Sequence, residues 1–94
     1  MTFEQFNPDD LDEAELRAFA RRARDIDERV SRAIEFFGPN AGQDAVGVYQ
    51  SIGYYAAIKA KAMRDRAEGR IEEAQVLEVR LEAIYKGLPK WAKW

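Results

Sequence analysis

Between Gly38 and Ile58 the chain carries one charge, Asp44, although 34% of all residues are charged. A run of that kind is built to be enclosed on most sides, so the rest of the chain must supply what encloses it. Val46, Val48, Tyr49, Ile52, Tyr54 and Tyr55 have side chains that suit a strand. The apolar and small positions nevertheless recur as Ala45, Tyr49, Ile52, Ala56, Ala60, Met63 and Ala67. Spacings of three and four over that length are helical, and no second strand-like run exists to pair with it. The pattern predicts a helix over residues 41–68, buried in its first half and wetter in its second.

Gly47 and Gly53 fall inside that helix, each costing roughly 1 kcal/mol relative to alanine. Gly53 and Ala57 are four apart, as are Ala56 and Ala60. Small residues at that spacing permit a close helix crossing, or leave a groove for a ligand or partner.

The preceding segment supplies one enclosing helix. Asn7-Pro8-Asp9-Asp10 reads as a start signal: asparagine caps, and proline at the first helical position loses no needed donor. Phe6 and Leu11 stand at the two ends of a hydrophobic staple. Asp9, Asp10, Asp12 and Glu13 lie where the helix dipole favours negative charge. Leu16, Phe19, Ala20, Ala23, Ile26, Val30, Ala33, Ile34 and Phe37 then mark one face as far as Gly38-Pro39, which ends the helix. On the other face Glu13–Arg17, Arg21–Asp25, Asp25–Arg29 and Glu28–Arg32 are spaced for ion pairs worth about 0.2–0.5 kcal/mol each. Asn40 to Gln43 fits a second N-cap signature; Thr2 to Gln5 fits a capping-box pattern too, but so little follows it that a loose turn is expected there.

Gly69 stops the central helix. A third helix opens at Ile71, with Glu72 and Glu73 in its first turn, and ends at Gly87 and Pro89. Its core face is Ile71, Ala74, Leu77, Leu81, Ile84 and Leu88. Val76, Val79 and Ala83 lie off that stripe, so the helix has apolar side chains on two sides.

Composition excludes more than it identifies. The 94 residues make one domain with one modest core, and 47% apolar content rules out a disordered chain. A net charge of −2 gives no bulk attraction to nucleic acid or to anionic membranes. With no histidine and no cysteine, the usual general base, the thiol nucleophile and the thiolate zinc site are all missing. No glycine-rich phosphate loop occurs, and Asp9 to Glu13 lacks the alternation and turn glycine of a calcium loop. The reading is a non-enzymatic chain with no cofactor and no metal. No apolar run approaches about 20 residues and no basic-then-apolar leader is present, so the expected location is the cytoplasm.

Gly69-Arg70-Ile71-Glu72-Glu73-Ala74 resembles the inter-helix turn of a tetratricopeptide repeat. Upstream, however, Lys61, Ala62 and Asp65 stand where that repeat carries a Leu-Gly pair and a tyrosine, and there is no second copy. The stretch is read as a helical-hairpin turn. The ending Leu88-Pro89-Lys90-Trp91-Ala92-Lys93-Trp94 resembles that of small uncharacterised proteins of phages and other mobile elements. The resemblance implies an origin, and a regulator or inhibitor of a host protein as a role.

The expected fold is all-α: an antiparallel bundle of three helices near 8–37, 41–68 and 71–87, with Tyr49, Ile52, Ala56, Ile26, Val30, Leu77, Leu81 and Ile84 in its core. A first helix longer than the third by more than ten residues would leave apolar surface uncovered, which points to a protein partner and to a homodimer. Asp9, Asp10, Asp12 and Glu13 are the candidate contacts for a basic partner. Trp91 and Trp94, interleaved with lysines, are candidate contacts for a partner, a membrane interface or bases, unless they fold back onto the end of the bundle. The alternative is a nucleic-acid accessory protein using Arg17, Arg21 and Arg24 on the first helix with Lys59 and Arg66 on the second.

Overall fold

The computed structural model describes residues 6–38 and 43–94, with side chains for 6–38 and 47–94. The loose turn expected at Thr2–Gln5 and the cap expected at Asn40 lie outside the described residues. All regular structure among the described residues is helical: a short 3-10 turn Pro8–Asp10, then α1 Glu13–Phe37, α2 Gln43–Ala67 and α3 Ile71–Gly87, and a closing 3-10 turn Lys90–Ala92.

The first helix begins later than its start signal suggested. Asn7 does cap, its Oδ1 accepting from the Asp9 backbone N–H at 3.0 Å, but only a single 3-10 turn follows. Leu11 and Asp12 are extended, and Asp12 starts α1 with a reciprocal capping box: its Oδ1 accepts from the Glu15 N–H at 2.8 Å, and Glu15 Oε1 accepts from the Asp12 N–H at 3.2 Å. The break has a packing reason. Phe6 lies on Phe19, ring centroids 4.3 Å apart. In one unbroken helix, residues thirteen apart would stand about 20 Å apart along the axis.

Gly38, at φ 104°, closes α1 in a conformation that side-chain-bearing residues avoid. The turn from α2 to α3 is a Schellman motif. Gly69, at φ 83°, donates to the Arg66 carbonyl at 3.1 Å, and Arg70 N–H donates to the Asp65 carbonyl at 2.7 Å.

Both connections make neighbours antiparallel. Glu13 meets Arg64, and further along α1 Asp27 meets Gln50. Arg66 meets Glu78 across α2 and α3, and the Gly87 end of α3 lies beside Gly47, Val48 and Ser51. Helix α2 is the middle member, packed on α1 along one side and on α3 along another, while α1 and α3 barely touch each other. The two terminal segments fold over the seam. Phe6, Leu16, Ala20, Ile52, Ala56, Ala60, Leu88 and Ala92 form one buried cluster drawn from α1, α2 and the segments before α1 and after α3.

This arrangement decides which expected core residues are covered. Tyr49, Ile52, Ala56 and Leu81 are buried. Ile26, Val30, Leu77 and Ile84 are only half-buried, because the two outer helices do not close on each other. The length expectation also needs correction: α1 has 25 residues against 17 in α3, so the difference is eight, and α2 matches α1. At Gly53 the crossing is tight, since a Cβ there would sit 2.8 Å from that of Ala23. Beside this contact lies a small cleft of about 160 Å³ between α1 and α2, walled by Ala20, Ala23, Gly53 and Ala57.

Candidate interaction surfaces

The acidic leading segment is largely engaged within the molecule. Asp9 Oδ1 accepts from Lys59 Nζ at 2.7 Å, joining the 3-10 turn to α2. Asp12 is the cap of α1. Glu13 Oε1 is shared: Arg17 reaches it from one turn along, and Arg64 Nε and Nη2 reach it from α2 at 3.0 and 2.9 Å. Asp10 stands exposed on the 3-10 turn. Three of the four candidate acidic contacts therefore already hold the N-terminal segment and α1 in place.

The basic residues divide. Those of α2 face acids: Lys59 faces Asp9, and Arg66 Nε and Nη2 grip Glu78 at 3.0 and 2.5 Å. That grip raises the pKa of Arg66 and lowers that of Glu78. On α1, Arg17 is paired with Glu13. Arg21, Arg24, Arg29 and Arg32 are exposed, and the pairs spaced for Asp25 and Glu28 do not close within 4 Å among the described residues. The two basic sets do not merge into one patch of unpaired charge.

The two tryptophans also divide. Trp94 is half-buried in an aromatic cluster: its ring meets Phe6, Tyr55 and Tyr85 edge-on at 5.1, 4.8 and 4.9 Å. The Tyr85 hydroxyl donates to the Trp94 carbonyl at 2.7 Å, and Lys93 Nζ stands 5.7 Å from the Tyr85 ring centre. Burial raises the pKa of Tyr55, against the opposing charge of Lys59. Trp91 remains 59% exposed. The tail thus folds back through one tryptophan and displays the other.

The most exposed large apolar side chains among the described residues are Phe36, off the periodic stripe of α1, and Phe37, on it. Phe36 is 87% exposed and Phe37 81%, their rings 5.8 Å apart at the end of α1. Phe37 belongs by spacing to the core stripe of α1, but by the Asp27–Gln50 register the last two turns of α1 run past the end of α3, so no third helix covers them. The signal available in the sequence was the doublet itself, two aromatics beside a helix-ending Gly-Pro. Val76 and Val79, 67% and 70% exposed, confirm a second apolar side to α3.

No family model, curated protein or solved structure matches the chain. Among the described residues, no three acidic, histidine or cysteine side chains are grouped to hold a metal ion, and no helix is long and apolar enough to cross a membrane.

Proposed function

We propose that this small all-helical domain is a non-enzymatic protein-interaction module that engages its partner through the tip of the α1–α2 hairpin. The observation that carries the reading is the exposed Phe36–Phe37 doublet. Adjacent, solvent-facing phenylalanines cost solubility and contribute nothing visible to the core. Aromatics presented in this way are typical anchors of protein interfaces. The lack of histidine and cysteine supports a role without catalysis.

A second copy of the chain is the first partner to test, because joining two such tips along a twofold axis would cover both doublets at once. Sedimentation equilibrium of the wild type and of Phe36→Ser/Phe37→Ser checks it. A concentration-dependent dimer that becomes a monomer in the variant is the expected result. A wild type that stays monomeric removes self-association.

The narrower proposal, a regulator or inhibitor of a host protein, draws its support from the resemblance of the tail from Leu88 to Trp94. A photo-crosslinker at position 37 tests it: one dominant host protein should be trapped, and a paired Phe→Ser exchange at 36 and 37 should abolish the product.

One observation favours nucleic acid as the alternative, the exposed and unpaired Arg21, Arg24, Arg29 and Arg32 of α1. An affinity that falls steeply with salt and weakens on Arg21→Ala/Arg24→Ala would support it.

A further inference from the structure

On the side where the tail folds over, α2 and α3 leave a groove of about 450 Å³. Its floor is apolar and aromatic: Met63 and Leu81 below, Tyr55, Tyr85 and Trp94 at one end. That volume lies within the roughly 300–1,000 Å³ of small-molecule sites. What fits is a small molecule or a single bulky ring.

The rim decides the charge of the occupant. Lys59 and Arg66 lie two turns apart on the α2 wall, and Glu78 and Glu82 lie on the α3 wall. Arg66 and Glu78 hold each other through two hydrogen bonds, and Glu82 is ion-paired with Lys86 at 3.1 Å. Lys59 differs. Its side chain is mostly covered, at 21% exposed, and its ammonium gives one hydrogen bond, to an Asp9 side chain that is 79% exposed. An ammonium has three donors. Lys59 therefore brings spare donors to the edge of the aromatic floor, held by a partner that water can replace. Tyr55, one turn before Lys59 on α2, lines the groove next to it.

We propose that this groove binds a small planar aromatic anion, with its ring over Met63 and Leu81 and its anionic group on Lys59 Nζ. Asp9 is the internal competitor for that position. Arg66, Glu78 and Glu82 are already paired with one another or with Lys86, which leaves the spare donors of Lys59 as the position for the ligand's anionic group. The site lies apart from the Phe36–Phe37 tip, so it stands or falls independently of the proposed interaction role.

The test uses 1-anilinonaphthalene-8-sulfonate, an aromatic anion of suitable size, titrated into the full chain carrying Trp91→Phe, so that Trp94 is the only indole emitter. One dye per chain should bind saturably and quench Trp94. Lys59→Met keeps the stem without the charge and should weaken binding about tenfold, the loss of one charge-assisted contact. Lys59→Arg should restore most of it. Asp9→Asn removes the competitor and should tighten binding about threefold. Circular dichroism of each variant confirms the fold. Binding of several dyes per chain, or one affinity across Lys59→Met and Asp9→Asn, overturns the proposal.

Discussion

Arg70 closes on Asp65 with both side chain and backbone. Its Nε and Nη2 donate to Asp65 Oδ1 at 3.1 and 2.8 Å, and its backbone N–H donates to the Asp65 carbonyl at 2.7 Å. These are the two positions of a Schellman motif whose side chains ordinarily make an apolar contact. Here an ion pair takes that place, and the carboxylate is almost completely buried, at 1% exposed. Lys61 Nζ adds a contact to Oδ2 at 3.3 Å.

That arrangement predicts acid sensitivity of the α2–α3 turn. The hydrogen bonds from Arg70 outweigh burial and, with Lys61, hold the Asp65 carboxyl below its ordinary value of 3.8. A carboxyl whose folded-state value is depressed stabilises the fold above its unfolded value and loses that contribution as pH falls through the folded value. Urea midpoints of the wild type should therefore drop between about pH 5 and pH 2, and Asp65→Asn should be less stable near neutrality with a flatter profile over that window. Glu78, lowered by Arg66, titrates in the same direction in both proteins and cancels in the comparison. Equal slopes would show that Asp65 is not the group responsible.

Two glycines of α2 should respond to the same substitution with opposite signs. A Cβ at Gly47 meets nothing within 4 Å, so Gly47→Ala gains helix propensity and should stabilise the chain by about 0.5–1 kcal/mol. A Cβ at Gly53 falls 2.8 Å from that of Ala23, so the helices must part. Overpacking of about 1–3 kcal/mol less the same propensity gain makes Gly53→Ala net destabilising, by up to about 2 kcal/mol. Adding Ala23→Gly should recover most of the packing loss. Chemical denaturation of the four proteins checks all three statements.

Periodicity found the helices because each carries an unbroken pattern of spacings three and four, and it found the stops because Gly38 and Gly69 need positive φ. It placed Ile26, Val30, Leu77 and Ile84 too deep because a repeat pattern reports which face is apolar, not whether two outer helices meet. It extended α1 backward through Asn7 because the cap signal there is real; the second cap at Asp12 and the packing of Phe6 on Phe19 overrule it. In the sequence Asp65 stands out only as a departure from a repeat pattern. An acid beside buried Ala62, five residues before an arginine across a turn glycine, was the available clue. The charged candidates could not be sorted from sequence, since whether Lys59 faces solvent or Asp9 depends on contacts fifty residues apart.

The last prediction concerns what ties the tail to the body. The Tyr85 hydroxyl donates to the Trp94 carbonyl at 2.7 Å, while the Trp94 ring meets Phe6, Tyr55 and Tyr85. Three ring contacts and one hydrogen bond join both ends of the chain to α2 and α3. Tyr85→Phe keeps the rings and removes the bond, so it should cost about 0.5–1.5 kcal/mol. Phe6→Ala removes a buried ring from the opposite end and should cost more, about 3 kcal/mol. In a Trp91→Phe background, emission of the parent should be blue-shifted relative to free tryptophan. Phe6→Ala should move it to the red by wetting the indole, and Tyr85→Phe should move it less. A parent spectrum already matching solvated tryptophan would mean that Trp94 does not dock, and Phe6 would then keep Phe19 but lose the second ring it packs on.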